Sequence, residues 1–280
     1  MKSYILYQTD FRSPNGGYRL LFPFTGRGFG LVSLLIIMAA VAYYILGAEK
    51  GRVPKVRRIP GVDAMDEAIG RAVEMGRPVI ASHGIANLRD STTGPQTIAG
   101  LSVLSYVAKK CAEVGTRIIV PVRMPEVWPI AADVVETAYK MAGKGEEFKQ
   151  TDIMFLSSEQ FGYSSNYMGL LMREKPGANI MVGAYWAESM QLAETGNRVG
   201  AMQISGTAQT SQIPFFLVST DYCLIGEEIF AASAYLSGEP ALIASLAGQD
   251  VGRILGVALC VLGSILTTIG IKALLDLMAW

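Results

Sequence analysis

The sequence predicts an α/β fold, a mostly parallel Rossmann-like sheet with helices wound on both faces, together with two transmembrane helices. Three observations predict it. Short apolar runs alternate with helix-period segments through the middle of the chain, two long uncharged apolar stretches bracket them, and the 280 residues are 51% hydrophobic and only 17% charged. An ordinary soluble domain is about 25% charged, so the shortfall points to a bilayer.

The first apolar stretch follows a tail of residues 1–28 and runs from Phe29 to Leu46 without a charge. At 1.5 Å of rise per residue it is close to the minimum that crosses a hydrocarbon core of about 30 Å. Its only A-x-A, Ala40 and Ala42, lies inside the apolar run, so it reads as a retained anchor and not as a cleaved secretory signal. The second stretch, uncharged from Ile254 to Ile271 within a span of 251–273, precedes a tail of 274–280. Tyr43, Tyr44 and Trp280 suit the interfaces of a bilayer. In the second stretch Gly256, Gly263 and Gly270 recur every seven residues, and Gly252 adds a G-x-x-x-G. Such a stripe lets another helix approach closely, either the first span or a copy of itself.

Flanking cations set the expected orientation. Lys50, Arg52, Lys55, Arg57 and Arg58 follow the first span and Arg253 precedes the second, against Arg12, Arg19, Arg27 and Lys272 on the other side. The positive-inside rule then places the segment between the spans in the cytoplasm. A basic connector, 47–60, carries Pro54 and Pro60, which favour an extended spacer. Beyond it, residues 61–250 are enough for one globular domain.

Within that domain six brief apolar runs read as strands covered on both faces: Pro78 to Ser82, Arg117 to Val122, Asp152 to Ser157, Asn179 to Tyr185, Val199 to Ser205 and Phe215 to Ile225. The helices between them carry clearer signals. Asp63 and Asp66 give an acidic first turn to a helix ending at Gly76, and Gly94-Pro95 opens a long helix that stops at Gly115. Helical spacing also fits Glu126 to Ala142, Gln160 to Met172, Glu188 to Gly196 and Glu227 to Leu236. The last strand lies only about ten residues beyond its predecessor, too short for a crossover helix. Those two strands are therefore expected to pair antiparallel, or their linker to form a lip over the sheet edge.

Composition narrows the chemistry. Twenty-four Lys plus Arg balance 24 Asp plus Glu, which lacks the basic surplus of a nucleic-acid binder. Cys111, Cys223 and Cys260, without C-x-x-C spacing, make neither a disulfide framework nor a zinc knuckle and fit a reducing compartment. His83 is the only histidine, so no histidine-cluster metal site is expected. No cofactor is implied by any motif: G-x-G-x-x-G, G-x-S-x-G and a Walker loop are absent.

Ligands of open parallel sheets collect beyond the carboxyl ends of the strands. Ser82 and His83 end the first strand, where a general base would be useful, although a lone histidine also serves simply as a loop hydrogen-bond partner. Thr92, Thr93 and Gly94 stand at a helix start whose amides and hydroxyls could hold a phosphate; the same residues read equally as ordinary caps. Thr207, Gln209 and Ser211 lie in an uncharged amide and hydroxyl loop suited to a small ligand or a neighbouring subunit. Glu159 follows the third strand, and Asp221 sits in the last strand as a buried carboxylate in need of Arg198 or Arg123. Cys223 lies in the same apolar strand and reads as a small hydrophobe more than a nucleophile.

At GVDAMDEAIGRAVEMGRPV, SSEQFGY, LAETGNRVGA, IPFFLVSTDY and IGEEIFAASAYLSGEPAL the chain resembles an uncharacterised family of prokaryotic membrane proteins defined as a domain of unknown function. The resemblance covers about Pro60 to Arg253 with the closing span. It implies a membrane-attached cytosolic-type domain and brings no catalytic motif. The expected protein is thus a homo-oligomeric, two-span membrane protein whose cytoplasmic α/β domain binds, senses or scaffolds, with the lipid bilayer and a small molecule as partners. The alternative is a membrane-associated hydrolase or transferase on a nucleotide or lipid-linked substrate, using Ser82, His83, Thr93, Glu159 and Asp221 around one cleft. Residues 59–252 hold 13 Lys plus Arg against 21 Asp plus Glu, a net −8. Overall neutrality is therefore the sum of an acidic body and a basic collar.

Overall fold

The computed structural model describes residues 28–52 and 59–270. The tail before Gly28, residues 53–58 of the connector with Lys55, Arg57 and Arg58, and residues 271–280 with Lys272 and Trp280 lie outside the described residues. The chain divides into two compact units, Met1–Arg52 with Ala244–Trp280, and Val53–Ile243.

The first unit holds two helices, α1 (Gly28–Glu49) and, from Ala244 onward, α9 (Pro240–Thr268). Both are long and apolar enough to cross a membrane, and their most apolar windows are unburied. α9 begins at Pro240, well ahead of the predicted span, and its polar turn is bridged by an Arg253–Asp250 pair at 3.0 Å. The two helices approach at glycines: a Cβ on Gly248 would lie 2.6 Å from Val41 Cα, and one on Gly252 3.1 Å from Ile37 Cδ1. Gly256 and Gly270 meet nothing within 4 Å.

The second unit runs α2 (Pro60–Glu74), β1 (Val79–Gly84), α3 (Gly94–Val114), β2 (Ile118–Val122), α4 (Trp128–Met141), β3 (Ile153–Phe155), α5 (Gln160–Glu174), β4 (Ala178–Ala184), α6 (Glu188–Arg198), β5 (Met202–Thr207), α7 (Ile213–Ser219), β6 (Tyr222–Ile225) and α8 (Glu228–Ser237). The strands form one parallel sheet in the order β3-β2-β1-β4-β5-β6. Strand order reverses between β1 and β4, the arrangement of a doubly wound sheet.

Both faces are covered, which is why the strands read as unbroken apolar runs. Val79, Ala81, Val120 and Ile180 pack with α2, α3, α4 and α8, while Ile80, Ile119 and Met181 pack with Tyr163, Tyr167 and Leu171 of α5, Leu192 of α6 and Phe216 of α7. Pro60 occupies the first turn of α2, where its missing N–H is harmless, so it starts a helix instead of extending the spacer.

One predicted strand is corrected. Phe215 to Ile225 divides into α7 and β6, because Pro214 in the first turn favours a helix start and Thr220 ends it with its N–H and hydroxyl both on the Phe216 carbonyl, at 2.9 and 2.7 Å. The connection from Thr207 to Tyr222 is then long enough for a crossover, and β6 joins β5 in parallel. The expected antiparallel pair or lip is not formed.

Candidate functional site

Because every strand is parallel, the loops sort onto two opposite edges. The C-terminal edge gathers the segments after β1, β2, β3, β4 and β5, and with them Ser82, His83, Thr92, Thr93, Gly94, Glu159, Thr207, Gln209 and Ser211. Asp221 precedes β6 and lies at the other edge. Its level follows from the register: the Asp221 N–H donates to the Gln203 carbonyl, Gln203 is opposite Asn179, and Asn179 is opposite Ile80. That is three residues short of His83, about 10 Å along the strands, and three strand spacings, about 14 Å, across them. Asp221 is also exposed and accepts the Gln203 N–H at 2.7 Å. The expected buried pairing with Arg198 or Arg123 does not occur, since Arg198 meets Glu194 at 2.6 Å and Arg123 serves two carbonyls.

At the reversal, backbone packing is unusually close. A Cβ on Gly100 of α3 would overlap the Val182 carbonyl and lie 2.8 Å from the His83 oxygen and 2.9 Å from its Cα. Gly84 (φ 92°) and Gly183 (φ 147°) hold left-handed backbone, and β1 shifts register between Ser82 and Gly84. A Cβ on Gly84 would lie 2.7 Å from the Ala184 nitrogen. Three glycines therefore bring α3 and the ends of β1 and β4 into contact.

Ser82 and His83 stand at the register shift that ends β1. The buried Ser82 hydroxyl pairs with the Tyr163 hydroxyl of α5 at 3.1 Å, and Tyr185 donates to the Ser82 carbonyl at 3.4 Å. His83 is 1% exposed, and its Nδ1 has no hydrogen-bond partner. Burial holds its pKa down at about 4, so the imidazole is neutral at pH 7. Serine and histidine thus do not form a nucleophile and base pair.

The remaining candidates are tied into the scaffold. Asp90 Oδ1 accepts from the Thr92 N–H (2.8 Å), the Thr92 hydroxyl (2.6 Å) and the Thr93 N–H (3.4 Å), and the Thr92 hydroxyl above all lowers its pKa. Thr207 Oγ1 accepts the Gln209 N–H at 3.2 Å, and Gln212 of the same loop receives the Ser189 hydroxyl at 2.8 Å. Glu159 is the exposed residue preceding α5, and its N–H donates to Ser157. Cys223 is half-buried and burial raises its thiol pKa, which disfavours the thiolate. Among the described residues no cluster of three or more His, Cys, Asp or Glu is placed to hold a metal.

Residues 24–278 match the family described as Domain of unknown function (DUF6754). The chain belongs to that family. No curated protein and no solved structure matches it.

Two residues that shape this edge of the DUF6754 domain escaped the sequence reading, Gln96 and Glu188, and a third, Arg123, has partners other than the one expected. Gln96 of α3 reaches across to accept the Ala208 N–H at 3.1 Å. Arg123, just past β2, donates from Nη1 to the Ile85 carbonyl (2.9 Å) and from Nε to the Ser158 carbonyl (3.1 Å). Glu188 opens α6 fully buried, accepting the Trp186 N–H at 2.8 Å and Gln160 Nε2 at 2.5 Å. Its place in a first helical turn is that of a simple dipole complement, and only its burial distinguishes it.

Proposed function

We propose that this is an integral membrane protein in which α1 and α9 span the bilayer and present a Rossmann-like, ligand-binding α/β domain to the cytoplasm, as a sensing or scaffolding module. The observation that carries the reading is the reversal of strand order between β1 and β4. Such a reversal opens a crevice beyond the strand ends in doubly wound sheets, and here the end of β1 with His83 and the segment leading to Thr93 stand at it. The enzyme alternative loses support from the same geometry, since Asp221 lies at the opposite edge and the Ser82 hydroxyl pairs with Tyr163. Membrane residence is supported by the two unburied apolar helices, and cytoplasmic placement by the cations that flank them. Self-association through Gly256 and Gly263 belongs to the same reading, Gly256 having open space around it.

The test combines extraction, labelling and binding-site mapping. Alkaline carbonate should leave the full chain in the membrane fraction, and release into the supernatant would remove the spans. Glu146→Cys, at an exposed position, should react with a membrane-impermeant maleimide in inside-out vesicles only; reaction in intact cells would reverse the orientation. Ligands captured from a metabolite mixture should protect residues 83–97 and 183–189 from hydrogen exchange, and protection confined to the opposite edge would move the site.

A further inference from the structure

Resting on the membrane reading above, we infer that the α7/β6 edge of the domain docks on the surface of the same bilayer, with Pro214, Phe215, Leu217 and Val218 of α7 inserted at the boundary between headgroups and acyl chains. A helix that is apolar all round belongs in a protein core or in lipid. α7 is such a helix. Its inner residue Phe216 is fully buried, while Phe215 is 45%, Leu217 58% and Val218 88% exposed, and Pro214 is exposed beside them. At helical spacing Pro214 and Val218 form the ridge of the outer side, with Leu217 and Phe215 on its flanks, so the whole outward face is one apolar surface. Tyr222 and Ile225 of β6, the edge strand, add further exposed apolar area. Soluble monomers keep such contiguous patches small.

The backbone of α7 is equipped to leave water. Helix ends carry open N–H and carbonyl groups that water would otherwise satisfy, and here they are satisfied within the domain. The Ile213 N–H donates to the Gln209 carbonyl at 3.2 Å, and the Phe215 and Phe216 N–H groups donate to the Gln212 carbonyl at 3.1 and 3.2 Å. Pro214 has no N–H to satisfy. At the other end the Phe215 carbonyl accepts the Ser219 hydroxyl at 2.5 Å, the Phe216 carbonyl accepts the Thr220 hydroxyl at 2.7 Å, and the Ser219 carbonyl accepts Asn197 Nδ2 at 2.8 Å. Internal pairing of the backbone is the condition for entering lipid.

Charge and tethering name the occupant. Residues 59–252 carry a net −8, yet Val199 to Thr220 holds no charged residue. That face offers nothing to a charged partner, whereas an acyl boundary takes an apolar face for its buried area. The chain also runs from this edge to both apolar helices. Gly61, in the first turn of α2, lies on β6, where a Cβ would meet Leu224 Cδ2 at 2.9 Å and Tyr222 Cβ at 3.9 Å. Residues 53–58, which lead to it from the side of α1, span at most about 22 Å. After β6, α8 ends at Ser237 and α9 begins at Pro240. Anchoring through those helices presents the edge to the bilayer at high effective concentration. A second copy suits it less, because a two-fold axis at this edge would bring Asp221 and Glu228, on either side of β6, toward their counterparts.

The full chain in phosphatidylcholine vesicles, doped with a phosphatidylcholine that carries a diazirine on its acyl chain close to the glycerol, would be irradiated and its adducts mapped by mass spectrometry. Adducts should fall on residues 213–218 as well as on α1 and α9. Leu217→Glu with Val218→Glu, both at exposed positions, should keep the wild-type melting temperature and the adducts on the spans. Labelling of α7 should fall by about tenfold or more, because burial of one such side chain is already worth that factor. Met141→Glu, at an exposed apolar residue of α4, should leave it unchanged, and an equal fall there would overturn the assignment of the face. The wild-type adduct map decides the matter should the double variant fail to fold. Adducts confined to the spans overturn the insertion and leave the membrane reading standing; a lighter particle for the double variant in light scattering would then give the face to a second copy. Equal labelling of α7 in the wild type and the double variant overturns it as well. Adducts on neither the spans nor α7 overturn the membrane reading and the insertion together.

Discussion

His83 couples the interior of the domain to pH through burial alone. Its pKa falls from an unfolded value near 6.5 to about 4 because desolvation penalises the imidazolium. Between those values the unfolded chain binds the proton and the native chain does not, so stability rises with pH across the window. The contribution is fully present above about pH 6.5 and is lost as pH falls toward 4. From pH 7 to pH 5 it amounts to about 2 kcal/mol. Denaturant titrations at the two pH values should show the wild type losing about that much more than His83→Leu; equal losses would mean that His83 is not buried neutral. The buried polar groups between α5, β4, β5 and α6 behave differently, because they are paired. Tyr167 donates to Asn179 at 2.8 Å, Asn179 to Gln203 at 3.0 Å, and Gln203 to the Ala193 carbonyl at 2.7 Å. That chain links α5, β4, β5 and α6 through groups whose hydrogen bonds are made inside the core, which is how buried polar residues are tolerated there.

At the scale of elements, glycine positions separate packing from propensity. Alanine is normally the better helix former by about 0.5–1 kcal/mol. Gly70 in α2 has nothing within 4 Å of an added Cβ, so Gly70→Ala should raise the melting temperature. Gly100 in α3 faces the Val182 and His83 carbonyls, and Gly100→Ala should instead destabilise by about 1–3 kcal/mol. Thermal melts of the two variants test the contact between α3 and the strand reversal; a stabilised Gly100→Ala would deny it. The same comparison applies to the apolar helices. Gly248 lies against Val41 and Gly256 against open space, so Gly248→Leu should lower the melting temperature in detergent while Gly256→Leu leaves it unchanged in the monomer. The seven-residue spacing drew attention to Gly256, Gly263 and Gly270, and a G-x-x-x-G to Gly252, whereas α1 comes closer at Gly248 than at Gly252. Periodicity marks a stripe on one helix; where a second helix crosses it depends on both.

For the whole molecule the governing feature is the separation of charge. Residues 59–252 carry a net −8, from 13 basic and 21 acidic residues, and the compensating cations flank the two apolar helices. Retention of cations on one side of a bilayer sets orientation. Replacing Lys50, Arg52, Lys55, Arg57 and Arg58 by Gln should therefore let Glu146→Cys react with an impermeant maleimide in intact cells for a measurable share of molecules. An unchanged labelling pattern would mean that the collar does not set topology.

The fold class and five of the six strands were legible in the sequence, because a buried parallel strand is an apolar run and an amphipathic helix is a 3.6-residue period, both local properties of the chain. The two apolar helices were legible for the same reason, as was the placing of Ser82, His83 and Thr93 beside one strand end. The split of Phe215 to Ile225 was not, since Phe215, Phe216, Leu217 and Val218 satisfy a strand and a short helix alike and the choice rests on Pro214 and on room for a crossover. Nor could local pattern say that Asp221 faces solvent at one edge while Glu188 is sealed at the other. Strand order and the unpartnered Nδ1 of His83 are long-range facts. They depend on which segments the packed core brings together, and tertiary structure alone decides that.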